Sequence, residues 1–296
     1  MASARDLLHQ LESGLDNLMD GDNFRNWLRV QARFHQYSQY SFGNVLLIAV
    51  HCPDATRVAG FHAWKKLGRP VKKGERGIPI LAPVTYKTHT NDARLAGAAP
   101  TPETDDESTR VGFRVVYVFD ISQTDGPPLP ELTVHGLEGA DAGAFWLRDQ
   151  LLTLAATEGL TVDLAATDCA AAAGFFGYYQ RSSRKIHVAQ DCSPNQTAST
   201  LAHEMGHHLL GHGGHAQDSR HTAEVQAESF GYILCATAGL ATDDKALPYI
   251  AGWADGDTPE AKRQAIRAAL TPVHDAVAAC LKRLSLNPAN VIPEVA

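Results

Sequence analysis

Leu7, Leu8, Leu11, Leu15 and Leu18 recur at helical spacing and predict an amphipathic helix over residues 5–19 with one face on a core. A second helix is predicted over Phe24 to Phe34, and a third from Ser41 through Ala49. The texture then changes to short strands broken by Gly and Pro, at Thr56 to Phe61 and Ile78 to Tyr86. Thr88 to Arg110 has no periodicity and many Ala, Thr, Pro, Asp and Glu, which predicts a mobile excursion. Alternating Val111, Phe113, Val115, Tyr117 and Phe119 predict a half-buried strand that returns to the sheet after it.

The run from Gln123 to Pro130 can continue neither strand nor helix and marks a domain boundary near residue 130. Beyond it, Leu147 to Ala156 reads as helix. Gly174 to Val188 reads as a hairpin turning at Arg181-Ser182-Ser183-Arg184, and strong helices follow to Leu284. No internal repeat is evident. The pattern predicts an α+β protein with two domains, residues 1–130 and 135–296.

Composition narrows the class. A chain of 296 residues, 44% hydrophobic and 20% charged, with 24 Gly and 15 Pro, is neither a disulfide miniprotein nor a disordered polymer. Its longest apolar runs, Val45 to Val50 and Ala276 to Leu281, fall far short of the ~20 residues that span a bilayer, and Arg5 and Asp6 make the N-terminus polar. Neither a membrane span nor a signal peptide is expected. Five cysteines, an odd number without a CxxC pair, argue against a disulfide framework and a thiolate metal site and suggest a reducing cytoplasm. The net charge of −7 is unevenly spread. Residues 1–133 hold 15 Lys+Arg against 15 Asp+Glu, and the remainder holds 11 against 18.

His203-Glu204-Met205-Gly206-His207 is an HExxH pattern, in which two His four apart project from one helix face toward one ion. Ser193 can cap that helix, Pro194 suits its first turn, and Gln196 completes a capping box, so the ligands lie about three turns inside a rigid element. The chain has 14 His, so the bare match needs context. A catalytic zinc takes three protein ligands and keeps a position open. Glu224 and Glu228, again four apart, supply the candidates: Glu224 as third ligand and Glu228 as the carboxylate that accepts a ring N–H from a ligating His, with the two roles open to exchange. Glu204 is the general base for peptide hydrolysis. Arg184 to Val188 reads as an edge strand that aligns an extended peptide beside the metal helix, or equally as an ordinary sheet strand. His208, His212, His215 and His221 read as surface groups or supports behind the ligands, with His212-Gly213-Gly214-His215 on a flexible turn.

Between Arg57 and Arg76 stand seven cations, Arg57, Lys65, Lys66, Arg69, Lys72, Lys73 and Arg76, against Glu75 alone. Phe61 and Trp64 interleave with them, and Tyr37, Tyr40 and Phe42 precede. Cations for phosphates and aromatics for bases together are what single-stranded nucleic acid requires, although a solvated basic hairpin has the same composition.

The segments Tyr40 to Leu47, Gly60 to Arg69, Val71 to Gly77 and Val118 to Thr124 resemble the N-terminal single-stranded-DNA-binding domain of ArdC-type antirestriction proteins. Thr200 to Glu204 and Ala223 to Glu228 resemble the two metal helices of that family's zincin-type domain, which is related to ImmA/IrrE metallopeptidases. Tyr249 to Trp253 resembles its C-terminal helices. The likeness covers most of the chain except residues 88–110. It implies a protein of mobile elements or phages that shields incoming single-stranded DNA from restriction and holds one Zn2+ or Mn2+ ion. The rival expectation is a cytoplasmic metallopeptidase that cleaves a regulator or repressor without binding DNA. A third is a binding module with a purely structural metal.

Overall fold

The computed structural model describes residues 3–35, 40–88, 108–128, 141–169, 176–213, 220–240 and 258–284. The elements run α1 (Ala4–Asn17), α2 (Gly21–His35), α3 (Phe42–His51), β1 (Val58–Gly60), α4 (Phe61–Lys66), β2 (Ile78–Thr88), β3 (Ser108–Asp120), a 3-10 turn (Ile121–Gln123), α5 (Ala142–Thr157), β4 (Thr161–Ala166), β5 (Gly177–Gln180), β6 (Lys185–Ala189), α6 (Pro194–Leu209), α7 (Arg220–Thr237) and α8 (Pro259–Arg283). None of these helices is long and apolar enough to cross a membrane. Helices packed on small sheets make an α+β fold, as the sequence pattern predicts.

α1 forms where its leucine stripe lies, with Leu7, Leu11, Leu15 and Leu18 buried, while Leu8 falls off the stripe and is exposed. Ser3 and Asp6 close a capping box at its N-terminus. The first sheet is antiparallel in the order β1-β3-β2, with Val58 opposite Asp120 and Ile78 opposite Val118. Its inward face is set by Val58, Ile78, Ile80 and Val118 against Val30, Val45 and Ile48 of α2 and α3. Period-2 geometry then turns the odd positions of β3 to the other face, where Phe113 and Tyr117 are 52% and 42% exposed. The alternating aromatics are therefore chiefly the outer face of the strand. β2 takes in Thr88 and β3 takes in Ser108 to Arg110, so the excursion expected over 88–110 is shorter at both ends; residues 89–107 lie outside the described residues.

The second sheet has the order β4-β6-β5. β4 runs parallel to β6, and β5 closes the hairpin through the predicted turn at residues 181–184. β6 is thus the central strand. Of the edge-strand and ordinary-strand readings of Arg184 to Val188, the first is ruled out by β4, a short segment without strong strand signals, whose Thr161 and Val162 pair with Lys185 and Ile186. α6 begins as predicted, with Pro194 in its first turn and the Gln196 N–H donating to Ser193 Oγ at 3.2 Å. The Gln196 side chain does not return to the cap; its amide donates to Thr200 Oγ1 at 3.0 Å.

One continuous hydrophobic cluster joins the leucines of α1 to α5, α6, α7 and α8. α8 adds polar ties to the N-terminal helices. Arg263 donates to both Asp16 oxygens at 2.7 and 2.8 Å, and His274 Nδ1 lies 3.0 Å from Gln31 Oε1. Tyr249 to Trp253 lie outside the described residues.

Candidate functional site

α6 and α7 bring His203, His207 and Glu224 together. His203 Nε2 lies 3.0 Å from His207 Nε2, and Glu224 Oε2 lies 3.5 and 3.6 Å from those two nitrogens. Three ligands held about 2.0–2.1 Å from one ion at tetrahedral angles would stand ~3.3 Å apart, so the donor set fits a single divalent ion. Of the two carboxylates that spacing left open, Glu224 completes this triangle. Glu228 sits behind it, with Oε2 3.1 Å from His203 Nδ1 at an angle that falls short of a good hydrogen bond.

The charges follow from this packing. Burial disfavours the His203 cation, but Glu224 and Glu228 outweigh that and push the group up to about 10. His203 and His207 hold the Glu224 carboxyl well below the usual carboxylate range. Only neutral imidazole can ligate, so a metal bound here displaces the His203 proton. Metal affinity is therefore expected to rise with pH by about tenfold per unit from neutrality toward pH 10, and to fall as the site is acidified. Titration with Mn(II) in buffers of different ionisation heat checks this through the proton released.

Glu204 is 7% exposed on the same helix and borders a cleft of about 400 Å³ that the three ligands share with Tyr178 and Tyr179. Burial raises its carboxyl, against the lowering effect of His203 and His207, and its carboxylate accepts the Tyr179 backbone N–H. His208 points elsewhere: Nδ1 lies 3.0 Å from Tyr179 Oη, and Nε2 lies 3.5 Å from Glu158, which also pairs with Arg283. His212 is 6% exposed, with Nδ1 2.9 Å from His207 Nδ1 and Nε2 2.9 Å from Gln226 Oε1. Of the two roles open to His212, surface group or support behind the ligands, the structure gives it the second. His221 is exposed, and His215 lies outside the described residues.

The basic segment divides into two groups. Trp64 is fully buried and donates its indole N–H to Phe119 O at 2.7 Å, so it cannot stack on a base. Arg69 is 8% exposed, and its guanidinium is spent on Thr124 Oγ1 and the Gly126 and Pro127 carbonyls. Arg57 is buried as well, and its backbone N–H donates to Asp120. These three expectations for DNA contact are corrected: α4, unforeseen in the sequence, turns Trp64 inward, and the loop after β3 captures Arg69. Trp64→Ala is expected to cost about 3–5 kcal/mol of folding stability, read by denaturant unfolding.

Lys65, Lys66, Lys72, Lys73 and Arg76 are exposed, with Lys72 Nζ donating to Ser122 O at 2.9 Å. Beside them Phe61 is 49% exposed and meets the Phe119 ring edge-on at 6.2 Å. Gly77, at the end of the basic loop, packs so closely on β3 that a β-carbon there would lie 2.8 Å from Tyr117 Cβ. Phe61, Phe119 and Tyr117 thus lie together where the basic loop meets β3. Tyr117, absent from the sequence-derived set, belongs to this group.

Comparison with known proteins finds two domain matches. Residues 4–119 match the N-terminal domain of the anti-restriction factor ArdC, and residues 157–247 match the IrrE N-terminal-like domain of the M78 peptidases. The metal-free crystal structure of antirestriction protein ArdC from plasmid R388 is similar over 92% of this chain and 97% of that one, with a TM-score of 0.55 at 19% identity. Its Mn(II)-bound structure covers 93% and 98%, with a TM-score of 0.52 at 18% identity. An uncharacterised Bacillus anthracis protein is 27% identical over 258 residues, 78% of this chain and 44% of that protein, so the chain spans less than half that relative's length. The chain thus carries an ArdC-type N-terminal domain over residues 4–119 and an IrrE N-terminal-like domain over residues 157–247, on a fold similar to that of ArdC from plasmid R388.

Proposed function

We propose that this protein binds single-stranded DNA through the face carrying Phe61, Tyr117, Lys65, Lys66, Lys72, Lys73 and Arg76, and that its second domain hydrolyses peptide bonds at a metal centre. The observation that carries the DNA reading is the joint exposure of aromatic rings and cations beside the basic loop of an acidic chain. The domain boundary near residue 130 then separates a DNA-binding unit from a peptidase-like one. The R388 protein is called an antirestriction protein, and protection of incoming DNA is the corresponding role here.

A Zn2+ or Mn2+ ion held by His203, His207 and Glu224 would supply Lewis-acid chemistry, acidifying water and polarising a peptide carbonyl. Glu204 takes a proton from the attacking water on its carboxylate and returns it to the leaving nitrogen. Its burial suits that traffic, because a carboxyl raised toward neutrality both accepts and releases a proton readily. β5 is an edge strand, and Gly177 to Tyr179 border the cleft, so the peptide is aligned along β5 rather than β6.

The test is fluorescence anisotropy with labelled single-stranded and duplex oligonucleotides at several salt concentrations. Preferential single-strand binding that weakens with a slope of several phosphates supports the reading. Absence of binding at low salt overturns it, and the regulator-cleaving metallopeptidase becomes the better account.

A further inference from the structure

α6 ends at Leu209, and Gly211, at φ 76°, reverses the chain as few other residues could. The reversal places the His212 N–H on His207 O at 3.0 Å and folds the His212 ring back onto the metal helix. Arg181, from the β5–β6 turn, donates to Gly211 O at 2.6 Å and His212 O at 3.1 Å and so holds the reversal in place.

From the far end, the polarity of the three contacts that lead from Ala269 through Gln226 and His212 to His207 follows in turn. The Ala269 carbonyl of α8 can only accept, so the group 2.8 Å away is the Gln226 amide nitrogen and Gln226 Oε1 faces His212. That oxygen can only accept, so His212 carries its proton on Nε2. The lone pair of neutral His212 is then on Nδ1, and His207 Nδ1 must be the donor across their 2.9 Å contact. His207 is left with a lone pair on Nε2, the atom at the corner of the His203, His207 and Glu224 triangle.

We propose that His212 and Gln226 are positioning residues that lock His207 in the Nδ1–H tautomer and aim its Nε2 lone pair at the metal, by a relay that starts at the Ala269 carbonyl. The inference rests on the reading of His207 as a metal ligand. It makes the two histidine ligands unlike: Nδ1 of His203 faces the Glu228 carboxyl, whereas Nδ1 of His207 faces an imidazole backed by the Gln226 amide.

Mn(II) affinity and the His207 tautomer, the latter from long-range 1H–15N spectra of the metal-free protein, test it. His212→Leu is expected to weaken Mn(II) binding about 10–100-fold and to leave His207 a mixture of tautomers. His212→Asn should restore most of the loss, because Asn Oδ1 occupies the position of Nδ1 and accepts the same proton. A merely structural histidine would lower the melting temperature of the metal-free protein without moving the tautomer. Should His212→Leu fold poorly, Gln226→Leu breaks the relay one residue further out and is expected to show the same two changes at smaller amplitude. Wild-type affinity and an unaltered Nδ1–H signal in the folded variants overturn the proposal. Wild-type protein that binds no Mn(II) at all overturns the ligand reading beneath it, a separate and distinguishable failure.

Discussion

Glu204→Gln is expected to lower peptide hydrolysis by at least about 10²–10⁴-fold while Mn(II) affinity and single-strand affinity stay at their wild-type values. The amide is nearly the same size as the carboxylate and can still accept the Tyr179 backbone N–H, so the packing around this buried position survives. What it cannot do is hold a proton. Because burial already disfavours the charged form of Glu204, removal of the charge should leave stability equal to wild type or slightly higher. Turnover of a metal-dependent peptide substrate selected from a library, beside calorimetric Mn(II) titration of both proteins, checks this. Equal turnover by the variant would remove Glu204 from the chemistry. A loss of both turnover and metal would mean that Glu204 instead helps to build the triangle. Glu204→Ala is the poorer test, since it opens a void against the two histidines and confuses packing with proton transfer.

How far the sequence announces this architecture depends on whether the signal is local. The α1 stripe, the Ser193 cap and the four-residue spacings of His203 with His207 and Glu224 with Glu228 are fixed by helical geometry alone, and they appear where expected. β3 shows the limit of periodicity. Val116 and Val118 on one face and Phe113 and Tyr117 on the other are all apolar, so alternation defines two faces without saying which one the helices cover. β6 became central through a parallel partner about 24 residues earlier, a non-local pairing that a short strand does not advertise. Trp64 and Arg69 read as DNA contacts because composition cannot separate a cation that faces water from one that braces a loop. For His212 a signal did exist: Gly211 directly after the last helical turn is a C-terminal stop, which reverses the chain and returns the next residue toward the helix.

The outer face of the first sheet gives the second large effect, and its two parts should fail in different ways. Phe61→Ala and Tyr117→Ala each remove an exposed ring and are expected to weaken single-strand binding about 5–150-fold, the equivalent of ~1–3 kcal/mol for one stacked base. The salt slope should not change, since no phosphate contact is lost. Lys73→Ala with Arg76→Ala should weaken binding at low salt and flatten the slope by about 1.4, or ~0.7 for each single-strand phosphate released. Those two exposed cations are preferable to Lys72, whose ammonium already donates to Ser122 O, so that its loss would mix a loop effect with a charge effect. Anisotropy at four salt concentrations separates the outcomes: a parallel downward shift for lost stacking, a shallower line for lost phosphates. Trp64→Phe supplies the contrast, because a buried indole whose N–H is bound to Phe119 O should affect stability and leave the affinity of the folded fraction intact. Unaltered affinity in both exposed sets, with wild-type binding present, would place the single strand on a different face of the molecule.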